Sequence, residues 1–489
     1  MITHKPFFGA TAMAAASALR VAIQVAILPI IGRLLGPHAY GQIALVSPFI
    51  IFAMLLAESG LGACIVRANE VTKELRGTVF CFSAALSLVV IAIFAALAYP
   101  LGSLLHEPLF PALLMGMSCT LLFAALTIVP AAILVRTKHY DWIALSDVVS
   151  TFGGVAAVTL GIFMGWGVWS LVVQQIVFWV CKVSVVTFGS RSWPRFIFRW
   201  RIIKENIQFG SNITAASALS FISRNVDNIL IGTFMGAESL GYYALAYQIT
   251  SLPSMVLSGS IYFTVFSATS EAKRLGNHTP TYSLKMLRGV LLIAAPTMVG
   301  IAATAQLSIP LLLGDKWLPS IPILICLLPL GITQAMGAPI GGVLIGMGRA
   351  DLSLRLNLVS STATILAICI GVAFNSIAVA AGISLAAIVS CANVLRVYMR
   401  ECKVSLKEIA TSLKAPLTAA LLMGCTVVII QTTVFVELHL IARLLISILT
   451  GIAVYSAILF GLFHDHVSED IKTIKVALSS RLASRRQLS

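Results

Sequence analysis

Ser190-Arg-Ser-Trp-Pro-Arg-Phe-Ile-Phe-Arg-Trp-Arg-Ile-Ile-Lys-Glu-Asn206 interrupts a chain that is otherwise apolar almost throughout, and divides it into two halves. Arg191, Arg195, Arg199, Arg201 and Lys204 make the stretch basic against the single carboxylate of Glu205, and Trp193, Phe196, Phe198 and Trp200 alternate with them. A basic segment interleaved with aromatics can lie in the headgroup layer of an anionic membrane. The plainer reading is a solvated connection that obeys topology rules.

Outward from this stretch the composition is that of an integral membrane protein. Of the 489 residues 59% are hydrophobic and 10% charged, with a mean hydropathy of +0.98, which excludes a set of soluble domains. A net charge of +15 would suggest nucleic acid in a soluble chain; here the placement of the charges points to membrane topology and against a nucleic-acid partner. Nine cysteines without a CxxC spacing, nearly all inside apolar runs, supply neither a disulfide framework nor a metal site. Lys5 and the Ala-rich patch after it imitate a signal peptide. The apolar run nevertheless continues from Phe7 to Leu35 across Arg20, so it reads as an uncleaved first span. No HExxH, Walker A or DxD run is present, nor a GxGxxG within a strand–helix unit. The expectation is a non-enzyme without a cofactor.

About twenty apolar residues span a bilayer, and that rule predicts fourteen helices. They fall near 9–35, 40–66, 77–105, 111–135, 143–164 and 167–189, then 207–235, 239–267, 285–313, 321–347, 352–374 and 376–398, then 415–436 and 440–463. The implied organisation is an N-terminal lobe (1–189), a basic linker (190–206), a C-terminal lobe (207–398), two further helices (399–463) and a basic tail (464–489). Alternate connections hold 27 of the 33 Lys and Arg, an asymmetry that puts both termini and the linker in the cytoplasm. Six of the seven Trp, all but Trp179, fall at span ends or connections, as an interfacial belt requires.

The halves repeat. Gly32-Arg-Leu-Leu-Gly36-Pro-His-Ala-Tyr-Gly41-Gln-Ile-Ala44-Leu45 matches Gly232-Thr-Phe-Met-Gly236-Ala-Glu-Ser-Leu-Gly241-Tyr-Tyr-Ala244-Leu245 at an offset of 200, and each copy joins the first two spans of its half. Six spans per half keep the halves in one direction, so the expected fold is all-α, with two lobes related by an axis along the membrane normal and a cleft between them.

Charges inside spans need a reason, because each costs ~2.5–3.5 kcal/mol to insert. Measured from the shared glycine turn, Arg20 lies ~24 Å, Arg224 ~18 Å and Asp227 ~13 Å inward, and Glu58 on the second span lies slightly deeper than Arg20. Two readings stand. Arg224 with Asp227, and Arg20 with Glu58, can be neutralised pairs that stitch helices together. Alternatively the four line a wet cleft, where the arginines offer forked donors to a phosphate and a carboxylate takes up a coupling H+ or Na+. Lys182 could add positive charge, though it is near enough to a cytoplasmic end to snorkel. Gly342-x-x-x-Gly346 reads as close packing, His464-Asp-His466 as solvated surface, and the Asn277 sequon lies on the wrong side to be used.

Arg33 through Gly41, Gly60-Leu-Gly-Ala-Cys-Ile-Val-Arg67, Asp227 through Tyr247, and Gly314-Asp-Lys-Trp-Leu-Pro319 resemble the polysaccharide exporter family. These are the Wzx-type lipid-linked oligosaccharide flippases of the multidrug/oligosaccharidyl-lipid/polysaccharide exporter superfamily. The resemblance covers most of the chain. It implies a fourteen-helix, two-lobe inner-membrane protein that moves an undecaprenyl-pyrophosphate-linked glycan outward by alternating access, in concert with glycan polymerase machinery. It also implies cavity roles for Arg20, Glu58, Arg224 and Asp227, and a lipid-tail groove at the last two helices. One departure is visible, since no proline stands between Ser258 and Ser270. The rivals are a cation-coupled small-molecule or drug exporter on the same fold, a membrane glycan polymerase or ligase, and a scaffold. The second lacks an external region for an active site, and the third leaves the buried charges unexplained.

Overall fold

Within hydrocarbon every backbone N–H and C=O has to be bonded inside its own segment or barrel. The computed structural model meets that demand with helices, and no strand occurs among the described residues. Those are residues 5–462 except 59, 69, 194–195, 275–279 and 434–438; the side chains of 5–12, 14–15, 205–213, 215–217, 219–220, 222–224, 256–260, 263, 280–283 and 462 are outside the description. The order is α1 (Lys5–Glu58), α2 (Leu61–Arg67), α3 (Lys73–Leu104), α4 (Phe110–Arg136), α5 (Tyr140–Phe163), α6 (Trp169–Ser190), α7 (Trp200–Arg274) and α8 (Pro280–Leu313). A 3-10 turn (Asp315–Trp317) leads to α9 (Ser320–Gly346), α10 (Ala350–Val372), α11 (Ser376–Cys402), α12 (Leu406–Thr433) and α13 (Leu440–Leu462). Among the described residues, twelve helical stretches are long and apolar enough to cross a membrane.

Two of those stretches contain a break. At 54 residues α1 would be ~80 Å long if straight, far more than the ~30 Å of hydrocarbon. The chain leaves helical geometry at one residue, Gly36 (φ 75°, ψ 175°), just before Pro37. In α7 Gly236 does the same (φ 80°, ψ 169°). Both occupy a region open essentially only to glycine, so the residues matched at an offset of 200 share one conformation. The prediction of fourteen spans counts the segments on either side of these glycines separately.

The two turns meet. A Cβ on Gly41 would fall 1.7 Å from the Ala237 carbonyl oxygen, and one on Gly241 would fall 2.0 Å from that of Pro37. Backbone rests on backbone, and only glycine permits it. Trp317 caps the pair: fully buried, it donates its indole N–H to the Gly32 carbonyl at 2.9 Å and sits edge-on to Tyr40 and Tyr242 at 5.8 and 6.1 Å. Arg33 Nε donates to the Leu312 carbonyl at 3.0 Å.

One difference from the predicted second span is a break at its end. Helix α1 stops at Glu58 and α2 starts at Leu61, with Gly60 left-handed between them (φ 63°, ψ 5°). Glycine takes that conformation without the Cβ penalty that other residues incur. Helix α12 also begins nine residues before the predicted 415. Ser405 and Glu408 form a capping box there, with Glu408 Oε2 accepting the Ser405 N–H at 2.7 Å and the Glu408 N–H reaching Ser405 Oγ at 3.2 Å.

The chain divides into two compact units, 1–245 with 312–317 and 368–378, and 246–311 with 318–367 and 379–489. The first is built on Leu61, Ile65, Val79, Phe80, Val129 and Ile203 at one end, and on Ile27, Ile31, Val158 and Leu171 between α1, α5 and α6. Arg136 ties α4 to the C-terminus of α2, donating to the carbonyls of Ile65, Val66 and Ala68. In the second unit Val265, Leu291, Met336, Ile340 and Tyr398 belong to one buried cluster. There α12 packs Met423 and Val427 on Val299 of α8, and Tyr455 of α13 donates to the Leu292 carbonyl at 3.0 Å. Gly342 lies against the Tyr262 backbone, where a Cβ would come within 2.8 Å of the carbonyl oxygen, so this motif serves packing.

Candidate functional site

Asp227 is the most constrained of the charges that the sequence singles out. It is 7% exposed, accepts the Tyr243 hydroxyl on Oδ2 at 2.7 Å and the Asn228 N–H on Oδ1 at 2.9 Å. Sixteen residues of straight helix would hold Asp227 and Tyr243 ~24 Å apart. Their contact therefore shows the chain folding back at Gly236, with the two residues at nearly equal distance from the turn. The side chain of Arg224, the expected partner of Asp227, is outside the described residues.

Arg20 and Glu58 are both exposed, and among the described residues no ion pair joins them. The interhelical pair allowed by their depths does not form, because Glu58 ends α1 and opens instead into a cavity. That cavity has a volume of about 330 Å³ and is bounded by the α1–α2 junction, α4 and α6. Its α4 wall is small and apolar, with Ala124, Ala125, Ala131 and Ala132; Glu58, Thr127, Trp179 and Lys182 supply the polar and aromatic groups. Trp179, the tryptophan that did not fit an interfacial belt, has its place here.

Lys182 is anchored. Its ammonium donates to Asp147 Oδ1 of α5 at 2.8 Å, each side chain being 21% exposed, and it lies 5.7 and 5.6 Å from the ring centres of Phe178 and Trp179. An ion pair in a partly dry site needs such additional contacts to offset its desolvation. One indole, one ammonium and one carboxylate that forms no ion pair among the described residues thus face a common space. They offer stacking surface and hydrogen-bonding groups of both kinds, as sites for polar ligands do.

Sequence reasoning missed three polar residues. Asp147 stands in an apolar run and is absent from a count of cations, Tyr243 carries no charge to mark it and meets Asp227 only across the Gly236 turn, and Glu107 passes for part of a short connection. Glu107 is in fact buried; it accepts from Gln42 Nε2 at 3.3 Å, and His38 Nε2 lies 3.8 Å away. The His464–His466 and Asn277 patterns lie outside the described residues. No group of three His, Cys, Asp or Glu that could hold a metal occurs among the described residues.

A family model described as "Polysaccharide biosynthesis protein" matches residues 30–322. Lipopolysaccharide biosynthesis protein WzxC of Escherichia coli (strain K12) is 23% identical over 381 residues, 76% of this chain and 76% of that protein. Teichuronic acid biosynthesis protein TuaB of Bacillus subtilis (strain 168) is 24% identical across 62% of this chain and 63% of its own length. Succinoglycan biosynthesis transport protein ExoT of Rhizobium meliloti (strain 1021) is 25% identical across 61% and 60%. Among solved structures, lipid II flippase MurJ in an inward closed conformation matches with a TM-score of 0.71 at 16% identity, over 94% of this chain and 100% of that one. An inward-facing multidrug resistance MATE family transporter of the MOP superfamily matches at 0.59 and 15%, over 80% and 94%. The likenesses to MurJ and MATE establish the fold.

Proposed function

The chain belongs to the polysaccharide biosynthesis protein family, and from that membership we propose that it is a transporter carrying a lipid-linked oligosaccharide across the inner membrane by alternating access. The cargo is an undecaprenyl-pyrophosphate-linked repeat unit of an exopolysaccharide, O-antigen or capsule, handed on to glycan polymerase machinery. The supporting observation is a conjunction. WzxC, TuaB and ExoT are named for the biosynthesis or transport of lipopolysaccharide, teichuronic acid and succinoglycan, and the fold is shared with the lipid II flippase MurJ.

In this reading Arg20 and Arg224 supply forked donors to the pyrophosphate, while Glu58, Lys182 and Trp179 meet the sugar. Glu58 or Asp227 takes up the coupling H+ or Na+. A cytoplasmic side for both termini, from which cargo enters, is supported by the 27 of 33 cations on alternate connections. The rival drug-exporter reading has the MATE likeness in its favour, but at a lower TM-score than MurJ. The test is Arg20→Ala and Arg224→Ala in cells. Surface glycan should fall at least tenfold with unchanged protein in the membrane, whereas normal glycan from both variants would remove the site assignment.

A further inference from the structure

The segment at 191–204 does not fit the description of a passive connection. Ser192 is buried, and Ile203, 1% exposed, belongs to the cluster formed by Leu61, Leu75, Val79, Phe80 and Ile133. Between these anchors the Arg199 N–H donates to Thr78 Oγ1 at 3.0 Å, and Phe196 stands edge-on to Phe80 at 5.6 Å. Its described parts, 191–193 and 196–204, are thereby pinned to the ends of α2, α3 and α4.

What it turns outward is aromatic and cationic. Trp193 is 74% exposed, Phe196 87%, Phe198 52% and Trp200 61%, and Arg191, Arg199, Arg201 and Lys204 are exposed among them. Four large exposed rings close together in sequence would be costly in water. They suit the boundary of headgroup and acyl chain, where Trp is favoured and where cations meet lipid phosphates.

We propose that this segment is a docking surface for anionic phospholipid, lying along the cytoplasmic leaflet with its rings in the acyl boundary and its arginines on phosphates. The occupant is bulk anionic lipid rather than the glycan carrier, because the cations are spread along the segment instead of converging on one point. This inference rests on the cytoplasmic orientation proposed above, but not on the identity of the cargo.

The test uses the purified full-length protein in mixed micelles, with energy transfer from tryptophan to dansyl-phosphatidylglycerol or dansyl-phosphatidylcholine. The expected result is a preference for the anionic lipid that falls as salt rises. The triple variant Arg191→Gln, Arg199→Gln, Arg201→Gln should weaken that preference by about fivefold for each cation removed. The matching Arg→Lys triple variant should keep it, which separates charge from folding. Equal transfer to both lipids in the native protein, or an unchanged preference in the Gln triple variant, would overturn the proposal. So would displacement of the anionic probe by substoichiometric undecaprenyl pyrophosphate, since the segment would then be a capture site for the carrier.

Discussion

At the scale of single residues, the buried carboxylate of Asp227 owes its position to a hydroxyl across a turn. Tyr243→Phe leaves Oδ2 without that donor on a carboxylate that is only 7% exposed. The expected cost is about 1–3 kcal/mol, read as a lower thermal midpoint of the detergent-solubilised protein; an unchanged midpoint would mean that the bond is incidental. Asp227 was legible in the sequence because a charge within an apolar run is conspicuous. Its partner was not, because tyrosine is unremarkable in a span and the contact arises only when the chain folds back at Gly236. The Lys182–Asp147 pair was hidden in the same way, its members 35 residues apart on different helices. Pairing of Glu58 with Arg20 was one of two readings and rested on depth alone, and depth says nothing of the direction in which a side chain points.

Among the elements, the glycine turns are the least tolerant of change. Gly41→Ala and Gly241→Ala each bring a methyl to within about 2 Å of a carbonyl oxygen of the other turn, so the turns must separate. A loss of ~1–3 kcal/mol or more is expected, together with impaired glycan export. Gly289→Ala in α8 is the control: its Cβ meets nothing within 4 Å, and helix propensity alone would make it neutral or slightly stabilising. Equal midpoints for Gly241→Ala and Gly289→Ala would contradict the reciprocal packing. The turns were legible because glycine repeats at an offset of 200 in matching topological places. The break at Gly60 was not, since hydropathy averaged over a whole span smooths a single left-handed residue. The start of α12 was written in the sequence as Ser405-Leu-Lys-Glu408, and a search for helix caps rather than apolar runs would have found it. At the ends of the helices, Arg136 donates to the last carbonyls of α2, and Lys273 of α7 donates to the Met347 carbonyl at 2.6 Å. Both place a cation on the negative end of a helix dipole.

For the molecule as a whole, composition, the asymmetry of its cations and the internal repeat were enough to predict a many-helix transporter fold. The family match and the likeness to MurJ agree with it. The cavity between the α1–α2 junction, α4 and α6 could not be foreseen. It exists because Ala124 and Ala131 leave room and because Gly60 ends a helix at Glu58, both consequences of packing rather than of pattern. Which cargo fills such a space is a question for cells, and the central claim is that it is a lipid-linked glycan. The most direct measurement is the amount and sidedness of lipid-linked oligosaccharide in a strain that lacks the gene. The account predicts that undecaprenyl-pyrophosphate-linked repeat units accumulate facing the cytoplasm, and that the native gene restores surface glycan while Arg20→Ala does not. Unchanged intermediates and intact surface glycan, with a new sensitivity to small toxic compounds, would contradict it.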